Sequence, residues 1–325
     1  MPNLSIDIYE SDILELDSVL LDILLSDKST GKNILWATDD YIEYGEEYTH
    51  DKQLLPELIT GEHTKLIQPR ISKSKSSQNS RTRDKAEVFT PSWICNEQNN
   101  LVDMAWFGRN VVFNNVNGTT WKATKWKVNF PKKLGKTWKD YVQAPRLEIA
   151  CGEAPYLVSR YDTVTGKPIS LRQRIGLLDR KLRIVNENTE NYDEWFYWVK
   201  EAYKSIYGYE YQGDNLLLAR ENLLLTFVDW MKHKQKRKPT ISELREIAEI
   251  IAWNIWQMDG LKYVVPESCH DEEEYANMFQ DVKKTPCPGC AQNNCRLHNG
   301  IYCKIMDWEA NKEIRFVDIV GGRTP

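Results

Sequence analysis

The sequence has no run of about 18 apolar residues, which excludes a membrane-spanning helix of ordinary length. No signal peptide is visible: Met1-Pro2-Asn3-Leu4-Ser5 leads into acids, not into a basic-then-apolar stretch. Positive charge is not in excess. With 43 Lys and Arg against 47 Asp and Glu, the formal net charge is −4, so a globally basic nucleic-acid coat protein is excluded while a local basic groove is not. The sequence also lacks the even cysteine count of a disulfide framework. Its seven cysteines, four of them crowded near the C-terminus, suit a reducing cytoplasm and a metal site. Apolar material is not scarce. At 41% hydrophobic over 325 residues, a sizeable core is expected and global disorder is not. No internal repeat is apparent.

Aromatics are abundant, with 12 Trp and 16 Tyr, side chains favoured where a surface stacks on something. Residues 1–69 read as an N-terminal α/β extension, with Ile13, Leu14, Leu20, Leu21, Leu24 and Leu25 at helical spacing and a short strand over Lys32–Ala37. Residues 70–85 read as a basic linker. Arg70 to Arg83 carries five positive charges and no acid, which suits solvation or phosphate contact. A second basic stretch interleaves with aromatics: Lys122, Lys125, Trp126, Lys127, Lys132 and Lys133. Lysines neutralise phosphates while an indole stacks on bases, so DNA is the expected partner; an ordinary amphipathic hairpin strand has the same alternation.

From Arg146 the pattern is α/β. Leu147-Glu148-Ile149-Ala150 is a short strand ending at Cys151-Gly152, and Tyr207-Gly208-Tyr209-Glu210 is another, ending in an acid. Helices are expected over 193–206, from Leu216 to Trp230, and from Thr240 to about Ala252, the last opened by Thr240 and Glu243 in capping-box register. In an open α/β sheet, ligands sit beyond the carboxyl ends of the strands. A glycine there lets backbone approach a ligand, and an acid on the neighbouring strand can accept from both ribose hydroxyls of a nucleoside.

In order along the chain, four segments resemble the class I S-adenosylmethionine-dependent adenine-specific DNA methyltransferases of restriction–modification systems. They are Phe89-Thr90-Pro91, Glu148-Ile149-Ala150-Cys151-Gly152, Tyr207 to Glu210 with the helix after it, and Asn254 to Leu261 containing Asp259. The resemblance implies a Rossmann-like sheet over 86–266. It also implies S-adenosylmethionine as cofactor, held by Phe89, Thr90, Pro91, Glu148, Ala150, Cys151, Gly152, Glu210 on the ribose and Asp259 at the adenine. Between Tyr156 and Asp193 lies a charged insertion (Arg172, Arg174, Asp179, Arg180, Lys181, Arg183), expected to face DNA or a partner.

Such enzymes use an Asn/Asp/Ser-Pro-Pro-aromatic loop to hold the target amino group and stack on the flipped base. Here Asp259-Gly260-Leu261 is followed by Lys262-Tyr263-Val264-Val265-Pro266, and Pro-Pro occurs nowhere. The catalytic residues are therefore unassigned. Two functions remain. One is DNA adenine methylation, with the missing loop diverged or supplied by another polypeptide. The other is a catalytically inactive methyltransferase-like DNA-binding or complex-forming protein, a restriction partner or anti-restriction factor. An α/β domain of unrelated function is the plainest third reading.

Residues 267–325 form a Cys-rich element. Cys287-Pro288-Gly289-Cys290 is a metal knuckle, and Cys295 and Cys303 would close a structural zinc site; Cys287, Cys290, Cys295 and His298 is the alternative set. Cys95 and Cys269 read as small buried residues. Cys151 belongs to the cofactor loop and has no neighbouring histidine in the sequence to make it a nucleophile.

Overall fold

The computed structural model describes residues 9–85, 90–131, 135–275 and 282–320. The chain opens with α1 (Glu10–Leu16) and α2 (Ser18–Leu25), and Asp17 between them caps α2 by accepting from Leu20 N at 2.8 Å. A hairpin of β1 (Ser26–Asp27) and β2 (Lys32–Asn33) follows, then α3 (Pro56–Ile59), α4 (Lys75–Lys85) and α5 (Ser92–Phe107). Beyond Asn33 the expected strand continues only as an isolated bridge, Leu35 to Gln53. β3 (Asn114–Asn117) and β4 (Thr120–Ala123) form a second hairpin, and α6 (Trp138–Gln143) starts at a Thr137/Asp140 capping box.

The central unit alternates strand and helix. β5 (Arg146–Glu148) is followed by α7 (Leu177–Asn188) and α8 (Tyr192–Lys204), then β6 (Ile206–Glu210), α9 (Gly213–Gln235), α10 (Ile241–Asn254) and β7 (Ile255–Gln257). The three strands form a parallel sheet in the order β5-β6-β7, with Glu148 opposite Gly208 and Glu210 opposite Gln257. Parallel pairing requires crossovers, and the helices supply them while covering the sheet. Thr240 caps α10 through the expected capping box. The C-terminal element comprises β8 (Glu272–Tyr275), β9 (Val282–Thr285), α11 (Pro288–Gln292), the hairpin β10 (Lys304–Asp307) and β11 (Lys312–Arg315), and α12 (Phe316–Val320). The fold is mixed α/β with small sheets.

The N-terminal extension shares the core of the rest: Leu20, Leu21, Leu24, Leu25, Ile34 and Trp36 join Leu216, Leu223, Ile247 and Ile251 in one buried cluster. Residues 70–85 are not the solvated linker expected. They include α4, whose Arg81 is 2% exposed and donates to Asp40, Asp214 and Gln212. Lys73 joins Asp214 at 2.9 Å, and Tyr41 donates to the same carboxylate at 2.7 Å. Burial alone would raise the Asp214 pKa; the charges of Lys73 and Arg81 outweigh it and hold the group far below the ordinary carboxylate range.

Much of the charged insertion also turns inward, while Arg172 stays exposed. Arg180 pairs with Asp103 and donates to Asn96 at 2.9 Å. Lys181 donates to the carbonyls of Val142 and Ala144 and to the Ser205 hydroxyl, and Arg183 to the carbonyls of Phe113, Thr124 and Trp126. Arg174 meets Asp229 at 2.6 Å. Arg180, Lys181 and Arg183 brace α7 against its surroundings.

Candidate functional site

The carboxyl ends of β5 and β6 lie side by side because the strands are parallel and in register. From Glu148 the chain turns sharply. Ala150, Gly152 and Ala154 all take left-handed backbone (φ 46°, 52° and 62°). For an alanine that conformation costs roughly 1–2 kcal/mol, so two such residues in one short loop mark stored strain of the kind found at binding sites. The turn is tied down on both sides: Cys151 N donates to Tyr209 O at 2.9 Å, and Gly152 N donates to Glu210 Oε2 at 2.8 Å. A Cβ at Gly208 would sit 3.3 Å from Cys151 Sγ, so a side chain there would crowd the turn.

Above these strand ends opens a cavity of about 560 Å³, within the size range of small-molecule sites. Its wall includes Thr90, Leu147, Glu148, Ile149, Ala150, Cys151, Gly152 and Glu210. Two carboxylates face it. Burial pushes Glu148 up to about 8, against the N–H groups of Tyr156 and Leu157 that donate to it at 3.2 and 3.1 Å. Glu210 is likewise raised by burial, while the N–H groups of Gly152, Gln212 and Tyr211 pull it back. Two acids desolvated in one cleft are suited to polar, cationic or hydroxyl-bearing ligands. Cys151 is buried, which raises its thiol well above the ordinary value and removes it as a nucleophile.

Of the residues expected from sequence, Thr90, Glu148, Ala150, Cys151, Gly152 and Glu210 therefore share one cavity. Phe89 lies outside the described residues. Pro91 stands at the N-cap of α5 and does not line the wall. Asp259 is not among the lining residues; its Oδ1 accepts from Leu261 N and Lys262 N at 3.0 and 3.2 Å, closing the turn after β7. Gln98, Asn99, Tyr156, Gln212 and Asn215 also line the cavity and were not foreseen. The polar pair Gln212 and Asn215, set where β6 passes into a helix, was the available signal.

In the basic–aromatic stretch, Lys122, Lys125, Trp126 and Lys127 are exposed, Trp126 by 56%, while Thr124 and Val128 are buried. The expected strand alternation does not hold here: β4 ends at Ala123, and Lys125, Trp126 and Lys127 are exposed in succession between buried Thr124 and Val128. Lys132 and Lys133 lie outside the described residues.

A second polar cluster sits in the C-terminal element. The ligating atoms of Cys269, Cys287, Cys290 and His298 all lie within 4.8 Å of one another, a group that could hold a metal ion. Cys287 is the N-cap of α11 and accepts from Cys290 N at 3.4 Å. Burial works against its thiolate, but the N–H groups of Cys290 and Asn299 and the neighbouring Cys269 and His298 bring it down to about 6. The expected set is thus corrected. Cys303 is fully buried with its Sγ 3.3 Å from Gln257 O, in a small core with Trp256, Met258 and Val265, and Cys295 is not in the group. Cys269, expected to be an ordinary buried residue, belongs to the group that could hold a metal ion.

No helix among the described residues is long and apolar enough to cross a membrane. Comparison with protein-family models, curated proteins and solved structures gives no match.

Proposed function

We propose that this chain binds S-adenosylmethionine at the ends of β5 and β6 and serves adenine-N6 methylation of DNA. The observation that carries the reading is the meeting of Gly152 N–H and the Glu210 carboxylate at 2.8 Å, 58 residues apart in sequence, on the wall of one cavity. In this reading the sheet is the first half of a Rossmann-like methyltransferase sheet. Glu210 takes the ribose hydroxyls, Glu148 faces the cationic methionine end, and the Ala150–Gly152 turn admits the cofactor close to backbone. Bound there, S-adenosylmethionine would supply an electrophilic sulfonium methyl group for an acceptor amine. The exposed Lys122, Lys125, Trp126 and Lys127 would contact the nucleic acid.

A second polypeptide completes the site in this proposal. The strand order runs one way from β5, whereas ligands in open α/β sheets bind where the order reverses. Among the described residues no strand pairs with the outer edge of β5, and Leu147 and Ile149 beside it are 45% and 66% exposed. A strand added there would place the loop that follows it over the cavity. The absence of Pro-Pro from the sequence favours this arrangement, and favours equally the non-catalytic reading of a DNA-binding or complex-forming protein.

Calorimetry with S-adenosylmethionine, followed by transfer of a labelled methyl group to unmethylated DNA, separates these readings. Binding with transfer supports a self-sufficient enzyme. Binding without transfer supports a chain that needs a partner or is inactive. No binding ends the cofactor reading.

A further inference from the structure

We infer that Cys269, Cys287, Cys290 and His298 form a closed tetrahedral zinc site that joins the loop leaving β7 to the knuckle at α11. Zinc bonds of about 2.3 Å to sulfur and about 2.0–2.1 Å to nitrogen, set at tetrahedral angles, place ligand atoms about 3.8 Å apart for S···S and about 3.6 Å for S···N. Cys269 Sγ lies 3.3 Å from Cys287 Sγ and 3.7 Å from Cys290 Sγ. His298 Nδ1 lies 3.5, 3.4 and 3.7 Å from the sulfurs of Cys269, Cys287 and Cys290. Five of the six separations are thus close to tetrahedron edges, and Cys287 Sγ and Cys290 Sγ lie within 4.8 Å of each other; four soft or borderline donors so placed suit zinc, and four protein ligands leave no open position, so the site is structural.

Gly289 gives a second, independent observation. A Cβ at this position would stand 2.5 Å from His298 Nδ1, so the absence of a side chain there is what lets the imidazole close on the sulfurs. Tyr302 fixes the approach by accepting from His298 N at 3.0 Å. The ligands come from separate segments, with Cys269 18 residues before Cys287 and the β8–β9 hairpin between them. An ion here fastens that hairpin at its base.

The test uses the full chain purified without chelator. Elemental analysis should find one zinc per chain, Cys269→Ser and His298→Ala should each lose most of it, and Cys295→Ser should keep it. A metal-free protein overturns the proposal, as does a Cys295→Ser variant that loses zinc while Cys269→Ser retains it. If the ligand variants are insoluble, alkylation of the native protein with peptide mapping decides instead. Cys269, Cys287 and Cys290 should be protected until a zinc chelator is added, while Cys295 reacts from the start. Labelling of Cys269 before chelation overturns the assignment. These readouts are independent of cofactor binding and methyl transfer.

Discussion

Cofactor binding should release a proton, and Glu148 should be its source. The group titrates near 8 in the ligand-free protein because it is buried, against an ordinary value of 4.5. At pH 7 roughly nine-tenths of it is protonated. A cationic methionine end beside it favours the carboxylate, so binding expels that proton. Between pH 6 and 7 the ionised fraction of such a group rises roughly ninefold, and affinity should rise by the same factor before levelling above pH 8. The ligand's own α-amino group, with an ordinary value near 7.7–8.0, remains charged across that interval. Isothermal titration in two buffers of different ionisation enthalpy reads the released proton directly, and Glu148→Gln should abolish both the release and the pH slope.

Stability carries the same signature. Between about 4.5 and about 8 the native state holds a proton that the unfolded chain has lost. The contribution is therefore complete below about 4.5 and disappears as pH rises through about 8. Its ceiling is on the order of 5 kcal/mol, from 1.36 kcal/mol per pH unit across that gap. Measurable binding with no pH slope and no buffer-dependent heat would refute the placement of Glu148 against the cofactor. Absence of binding would refute the cofactor itself.

Three further outcomes follow from the same geometry. Glu210→Ala should weaken S-adenosylmethionine binding by about 1.5–3 kcal/mol, the worth of hydrogen bonds to a charged group, as measured by calorimetry. Arg180→Met leaves Asp103 and Asn96 facing a vacant position in the core, and urea denaturation should register a loss of about 3–5 kcal/mol. Replacing Lys122, Lys125 and Lys127 together by alanine should flatten the salt dependence of DNA binding by up to about 3 in log–log slope, and leave stability unchanged because all three are exposed.

The strand ends were legible because the relevant signals are local. A short apolar run, a glycine and an acid identify the tip of β5, and the same logic identifies β6; parallel register then brings Gly152 to Glu210. The capping box at Thr240 was equally readable. Charge was the recurrent source of error. α4 has no apolar stripe to announce it, and ion pairs between Arg81, Lys73 and Asp214 hold its segment in place, where hydrophobic periodicity is silent. In α7 the run Asp179-Arg180-Lys181 reads as a wet face, but each of the three is about 1% exposed and bonded to another element. The Cys/His group that could hold a metal differs from the expected set for a related reason. Sequence spacing favours near neighbours such as Cys295, whereas a hairpin returns Cys269 from farther away. Asp259, placed at the adenine only by the resemblance, has a side chain that closes a turn, which spacing along the sequence does not reveal.

A polar, basic stretch such as Arg70 to Arg83, with no acid in it, would ordinarily be an early place for a trypsin-like protease to cut, and a natural point at which to divide the gene into two expression fragments. Both expectations fail at Arg81. Its guanidinium is clamped between Asp40 on one side and Asp214 at the start of α9 on the other. Limited digestion should spare this bond in the native protein, and separately expressed halves would each inherit one side of a broken clamp.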